Sequence, residues 1–169
     1  VGVKYVRFFD PRNIAKTRKG LMGRKGKLQP FLSAAFFNGS AVVGTATGQL
    51  YVFDDRSVGR VVDGHESSVN SLYVHDGQLI SGGKDGKVIV WDADFNQVET
   101  IDVAAFDSQH SCVRSVSRGD NGNILVGTQG AEVFEVAGGE GNKLFESHYY
   151  GETWGLATHP STGRVVSTG

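Results

Sequence analysis

Three side chains invite a catalytic reading before anything else is considered: His65, Ser81 and Asp85 are the residue types of a hydrolase triad. A nucleophilic serine of that kind needs an exposed, strained elbow beside an oxyanion hole. Ser81 instead falls in a strand-like run two positions before Gly83, with no G-x-S-x-G around it, so a structural role is expected. Cys112 with His110 could pair a thiol and a base on one strand face, but no third group orients the imidazole, and a core cysteine is the expectation. The histidines, His65, His75, His110, His148 and His159, show no metal-ligand spacing, and one cysteine cannot build a structural zinc site. Gly20, Gly23 and Gly26 could cradle an anion, yet neither a Walker Lys-Ser pair nor a Rossmann strand accompanies them, and turn glycines are the simpler reading. No metal and no cofactor are expected.

The other chemistry is charge. Arg12, Lys16, Arg18, Lys19, Arg24, Lys25 and Lys27 crowd one acid-free segment, which carries +7 while the remainder of the chain carries −8. This reads as a loop whose glycines keep it from stiffening, and it is the candidate site for an acidic partner. Nucleic acid fits less well, because the segment has no aromatic residue to stack on bases and no recognition helix.

The elements that must position these groups follow from a repeat. VVGTATGQLYVFD (42–54), ISGGKDGKVIVWD (80–92) and LVGTQGAEVFEV (125–136) share one pattern of strand, glycine-centred turn and strand. Aligning the residue that ends each second strand gives Phe9, Phe53, Trp91 and Val136, spaced 44, 38 and 45 apart, which suits a four-stranded blade. A weaker register marks an inner strand at Phe31-Leu32-Ser33-Ala34, Val69-Asn70-Ser71-Leu72, Val113-Arg114-Ser115-Val116 and Trp154-Gly155-Leu156. The fold expected is all-β: a partial propeller of about four blades, with a blade end at 1–10, blade cores at 28–54, 65–92 and 110–136, and a further blade starting at 148–169. Twenty-four glycines and three prolines support many tight turns. The chain opens on Val1 and stops inside an apparent strand at Gly169, so it reads as an internal piece of a longer protein. Its end strands should then pair with other parts of that protein or with another chain.

Within 65–92 the residues become more specific. Gly64-His65, Ser81, Asp85 and Trp91-Asp92 resemble the WD-repeat consensus, which runs from Gly-His to Trp-Asp. That resemblance implies a buried hydrogen-bonded tetrad of His65, Ser81, Asp85 and Trp91, and buried polar groups of these types can satisfy one another. Thr47 and Gly130 stand where the other units should carry the turn aspartate, and Phe53 and Val136 where they should carry tryptophan. The 65–92 blade should therefore be the best ordered and the 110–136 blade the loosest.

Longer strings, VGVKYVRFF, KGLMGRKGKLQ, GQLYVF, GGKDGKVIVWDADF, VGTQGAEVFEV and the Gly-Glu-x-Trp-x-Leu-x-x-His-Pro stretch at 151–160, are similar to the echinoderm microtubule-associated-protein-like family through nearly the whole chain. The resemblance implies a non-catalytic scaffold that associates with microtubules or tubulin in the cytoplasm, on the cytoskeleton, a cilium or the spindle. A WD-repeat adaptor for peptides or phosphopeptides is the alternative, and a propeller enzyme a more distant one. Neither a signal-peptide core nor an apolar run long enough for a membrane helix is present in the sequence, and a lone cysteine suits a reducing compartment.

Overall fold

The computed structural model describes residues 1–146, 154–159 and 161–168. The strands fall into five antiparallel sheets in chain order. The first has two strands, β1 (Arg7–Asp10) and β2 (Asn13–Lys19). Three four-stranded sheets follow: β3 (Phe31–Phe37), β4 (Ser40–Thr45), β5 (Gln49–Asp54) and β6 (Ser57–Asp63); then β7 (Val69–His75), β8 (Gln78–Gly83), β9 (Lys87–Trp91) and β10 (Gln97–Asp102); then β11 (Val113–Arg118), β12 (Ile124–Thr128), β13 (Glu132–Ala137) and β14 (Glu140–Glu146). The hairpin β15 (Gly155–Thr158) and β16 (Val165–Thr168) ends the chain. A single 3-10 turn, Val103–Phe106, is the one helical element among the described residues.

Tight turns make this possible. Asn38-Gly39, Asp76-Gly77 and Gly138-Gly139 all take positive φ at both positions and link β3 to β4, β7 to β8 and β13 to β14. That is the two-residue hairpin geometry whose twist matches the flanking strands, and Asn, Asp and Gly are the residues that tolerate it.

The core lies between sheets. Ile80, Val88 and Val90 of the second four-stranded sheet interlock with Val113, Val116, Ile124, Val126, Phe134 and Val136 of the third. Phe37, Val42, Leu50 and Val62 meet Val69, Leu79, Ile89 and Trp91 across the next seam. Both faces of the middle strands are apolar for this reason, in contrast to a half-wet sheet. The sheets do not close into a ring, and the architecture is that of a partial propeller.

The structure corrects two expectations. The basic segment is not a flexible loop: Asn13–Lys19 is strand β2, paired with β1 in the register Phe8↔Arg18 and Phe9↔Thr17. Beyond it, Gly20 N–H donates to the Val6 carbonyl and Leu21 exchanges backbone hydrogen bonds with Arg56 and Val58. Gly20 and Gly26 serve close packing there, since a Cβ would stand 3.0 Å from Val6 Cβ at the first and 2.9 Å from the Met22 carbonyl at the second. Cys112, in turn, is half-buried in the loop before β11, outside the core. Of the unit expected at 148–169, residues 148–153, 160 and 169 lie outside the described residues.

Candidate interaction surface

Turn chemistry brings His65, Ser81, Asp85 and Trp91 together at one corner of the middle sheet. Trp91 Nε1–H donates to Ser81 Oγ at 2.9 Å, Ser81 Oγ lies 2.8 Å from His65 Nε2, and His65 Nδ1 lies 3.0 Å from Asp85 Oδ1. Asp85 also accepts from the backbone N–H groups of Glu66 and Lys87. Burial pushes the His65 imidazole below its usual pKa, and the adjacent Asp85 carboxylate only partly offsets this. A neutral imidazole with its proton on Nδ1 lets every group donate in one direction, from indole to hydroxyl to imidazole to carboxylate. The arrangement ties the incoming loop, the β8–β9 turn and the end of β9 into one unit. It offers no substrate a nucleophile, because Ser81 is 0% exposed and its hydroxyl is already engaged on both sides.

The neighbouring sheets carry other networks at the equivalent corner. In the first, Tyr51 Oη accepts from Gln29 Nε2 at 2.9 Å and from Lys27 N at 3.0 Å, and Thr47 Oγ1 donates to Gln29 Oε1. In the third, the carboxylate of Glu132, 0% exposed, accepts from Ser108, Thr128, the Gln109 amide and Lys143. Burial alone would raise its pKa, but those four donors outweigh it and hold the carboxyl below the usual range. A Cβ at Gly130 would stand 2.7 Å from Glu132 Oε2, so this carboxylate fills the space left by the missing turn aspartate. Sequence reasoning overlooked Glu132. The signal was there, in a lone acid opening an apolar strand two residues after a turn that had lost its own acid.

The cations form a ribbon. Arg12, Lys16, Arg18, Lys19, Arg24, Lys25 and Lys27 are all exposed, the first four on the β1–β2 hairpin and the last three on the chain crossing to the first four-stranded sheet. Arg18 pairs with Asp55 at 3.1 Å; among the described residues the other six have no ion-pair partner, although Lys25 Nζ donates to the Gly59 carbonyl. The hairpin register adds Arg7, which the sequence run had left out, directly opposite Lys19. Like charges facing each other across a strand pair are unfavourable. The ribbon therefore holds positive charge in fixed positions at a local cost that an acidic surface would relieve.

Comparison with known proteins agrees with this architecture. The family described as WD domain, G-beta repeat matches residues 56–92. A chain in the crystal structure of the Mitotic Checkpoint Complex superposes with a TM-score of 0.76 at 16% identity, covering 97% of this chain and 51% of that one, and the WD40 beta propeller domain of Doa1 superposes with a TM-score of 0.72 at 17% identity, covering 83% of this chain and 48% of that one. The chain is a segment of WD-repeat β-propeller. It is also 33% identical over its whole length to the 77 kDa echinoderm microtubule-associated protein of Lytechinus variegatus, covering 26% of that protein. Echinoderm microtubule-associated protein-like 2 of Rattus norvegicus is 33% identical over 93% of this chain, which covers 24% of it. The chain is thus a homologue of the echinoderm microtubule-associated-protein-like proteins, and it spans about a quarter of the length of the curated relatives it matches.

Proposed function

We propose that this chain is a non-catalytic scaffold segment that associates with microtubules, docking through the β1–β2 ribbon and the crossing segment that follows it. The single observation that carries the reading is the set of six exposed cations that, among the described residues, find no ion pair and are held by an ordered backbone. Homology to proteins named for microtubule association supports the choice of partner. The chemistry sought is an acidic protein surface, and tubulin's acidic surface supplies it. Phosphopeptide capture is the competing reading, and in that case the ribbon would be irrelevant to polymer binding.

Binding of this kind is electrostatic, so it should weaken as added salt shortens the screening length from about 10 Å at 0.1 M to about 3 Å at 1 M. Lys16→Glu, Lys19→Glu and Arg24→Glu combined should remove most co-sedimentation with polymerised tubulin. The melting temperature should stay nearly unchanged, because exposed charges contribute little to stability. Co-sedimentation indifferent to both the substitutions and the salt would reject the ribbon as the docking site.

A further inference from the structure

The three complete sheets repeat one corner in register, and the first of them lacks its anion. In each sheet the opening residue of the first strand pairs with the last residue of the second, through Phe31↔Thr45, Val69↔Gly83 and Val113↔Thr128. Four residues before the first member of each pair stand Lys27, His65 and Gln109, and two residues after the second stand Thr47, Asp85 and Gly130. In the middle sheet the Asp85 carboxylate faces His65. In the third, the Glu132 carboxylate fills the space beside Gly130, accepts from the Gln109 amide and pairs with Lys143. The first sheet instead sets a cation, Lys27, at the His65 position and a neutral hydroxyl, Thr47, at the Asp85 position. Among the described residues neither Lys27 nor Lys25 has an ion-pair partner.

This corner opens as a crevice of about 440 Å³ whose lining includes Lys25, Lys27, Gln29, Thr47, Tyr51 and Asp63, a volume in the range of small-ligand sites. Every one of these residues belongs to the first complete sheet or to the segment entering it. The middle sheet, which has a complete sheet on either side, shows that such a rim faces solvent: there the corner is bordered by Glu66, Lys84 and Asp102, all exposed. Inside the crevice, Gln29 and the Lys27 amide donate to Tyr51 Oη, and Gln49 Nε2 donates to Asp63. Tyr51 is 1% exposed, and its own hydroxyl proton reaches only the Lys27 carbonyl at 3.5 Å, the outer limit of a hydrogen bond. Lys25 donates once, to the Gly59 carbonyl, which leaves the rest of its ammonium donors free. Two lysines against Asp63 leave one uncompensated positive charge, which a single carboxylate balances and a phosphate dianion would exceed.

We infer that this corner is a receptor for one carboxylate of an acidic protein segment, a glutamate side chain entering between Lys25, Lys27 and the Tyr51 hydroxyl to stand where Asp85 and Glu132 stand in the other two sheets. The bonds it would accept are charge-assisted from the lysines and come from a preset phenol, the stronger class of hydrogen bond. The choice of partner rests on the docking reading above; the corner itself does not. It adds to that reading a fixed point. Cations along an exposed ribbon draw an acidic surface without setting its register, whereas a lined crevice demands one side chain in one place.

Titrating the chain with an oligoglutamate peptide while recording amide NMR spectra should shift the Lys27, Thr47 and Gln49 signals saturably. Lys27→Gln should weaken the peptide about tenfold, the loss of one charge-assisted contact, whereas Lys16→Gln, the same charge change on β2, should weaken it only about twofold, as a screened exposed charge does. Thr47→Asp gives the corner a carboxylate of its own, so it should exclude the peptide while the melting temperature stays at or above the parent's. Inorganic phosphate at matched ionic strength should leave the three amide signals in place. Equal losses for Lys27→Gln and Lys16→Gln, peptide binding unchanged in Thr47→Asp, shifts that bypass the corner, or phosphate displacing the peptide would each overturn the proposal. Tubulin co-sedimentation is read separately: a chain that takes the peptide at the corner but does not sediment supports the receptor and rejects the docking reading, and one that sediments while the peptide leaves the corner signals unmoved rejects the receptor alone.

Discussion

Replacing Trp91 separates packing from hydrogen bonding at the corner of the middle sheet. The indole is 1% exposed and sits between two sheets, against Phe37, Leu50, Val69 and Leu79. Its Nε1–H is the first donor of the chain that runs through Ser81 and His65 to Asp85. Truncation to alanine should cost about 3–5 kcal/mol in packing and cavity terms. Trp91→Phe keeps most of the packing and should cost about 1–2 kcal/mol, the worth of one buried hydrogen bond together with a less well-filled site. For a chain of this size each kcal/mol moves the melting temperature by about 2–4 °C, so the alanine variant should melt about 6–20 °C lower and the phenylalanine variant about 2–8 °C lower. Calorimetry of both variants beside the parent, with urea unfolding to check the free energies, reads these numbers. An alanine variant as stable as the parent would mean that the indole neither fills the seam nor organises the corner, and the argument from burial would fail. Equal losses for the two variants would place the whole effect in the hydrogen bond and refute the packing share.

The His65 imidazole is held below its usual pKa by burial, so the unfolded chain binds its proton more readily than the folded one; stability should decline as pH falls below about 6.5, where the unfolded imidazole begins to charge. Melting curves between pH 8 and pH 5.5 should show that slope, and His65→Gln should flatten it; identical slopes would remove His65 from the acid response. Glu132→Ala should destabilise the third complete sheet by about 1–3 kcal/mol in urea titrations, because it strands the buried Thr128 hydroxyl and the half-buried Ser108 hydroxyl. A neutral outcome there would show that water replaces the carboxylate at no cost. The triple charge reversal described above should remove most tubulin co-sedimentation at low salt, and the binding of the parent should fall steeply as salt is raised.

The repeat was legible because the turns are written in residue types that only turns favour, and because both faces of β4, β8 and β12 are apolar for a physical reason, the seams on either side. Strand β2 was hidden from the same reading. Every one of its seven residues is exposed, so Asn-Ile-Ala-Lys-Thr-Arg-Lys has no alternation to betray a pleat, and only its pairing with β1 makes it a strand. Composition alone suggested a mobile loop. The polar corners were half legible: the types His, Ser, Asp and Trp advertise themselves together, whereas Glu132 reaches the same corner from two residues further along the chain, and its partners Ser108 and Lys143 lie 24 residues before it and on the next strand. Cys112 was misjudged because a cysteine beside a strand of valines resembles core material, and the loop that lifts it out of the core has no apolar signature of its own.

The location of the apolar material between sheets bears on how such a chain can change length over evolutionary time. A duplicated stretch of one repeat, 38 to 45 residues here, brings one sheet together with both of its gluing faces. The newcomer meets on either side the same kind of surface that its parent met, so an insertion or deletion of whole repeats leaves every surviving junction chemically familiar. Half a repeat has no such freedom, since it exposes a row of backbone donors and acceptors that only a matching half can satisfy. Growth by whole units is therefore cheap for the protein, and breakpoints inside a sheet are tolerated only where another half waits to receive them.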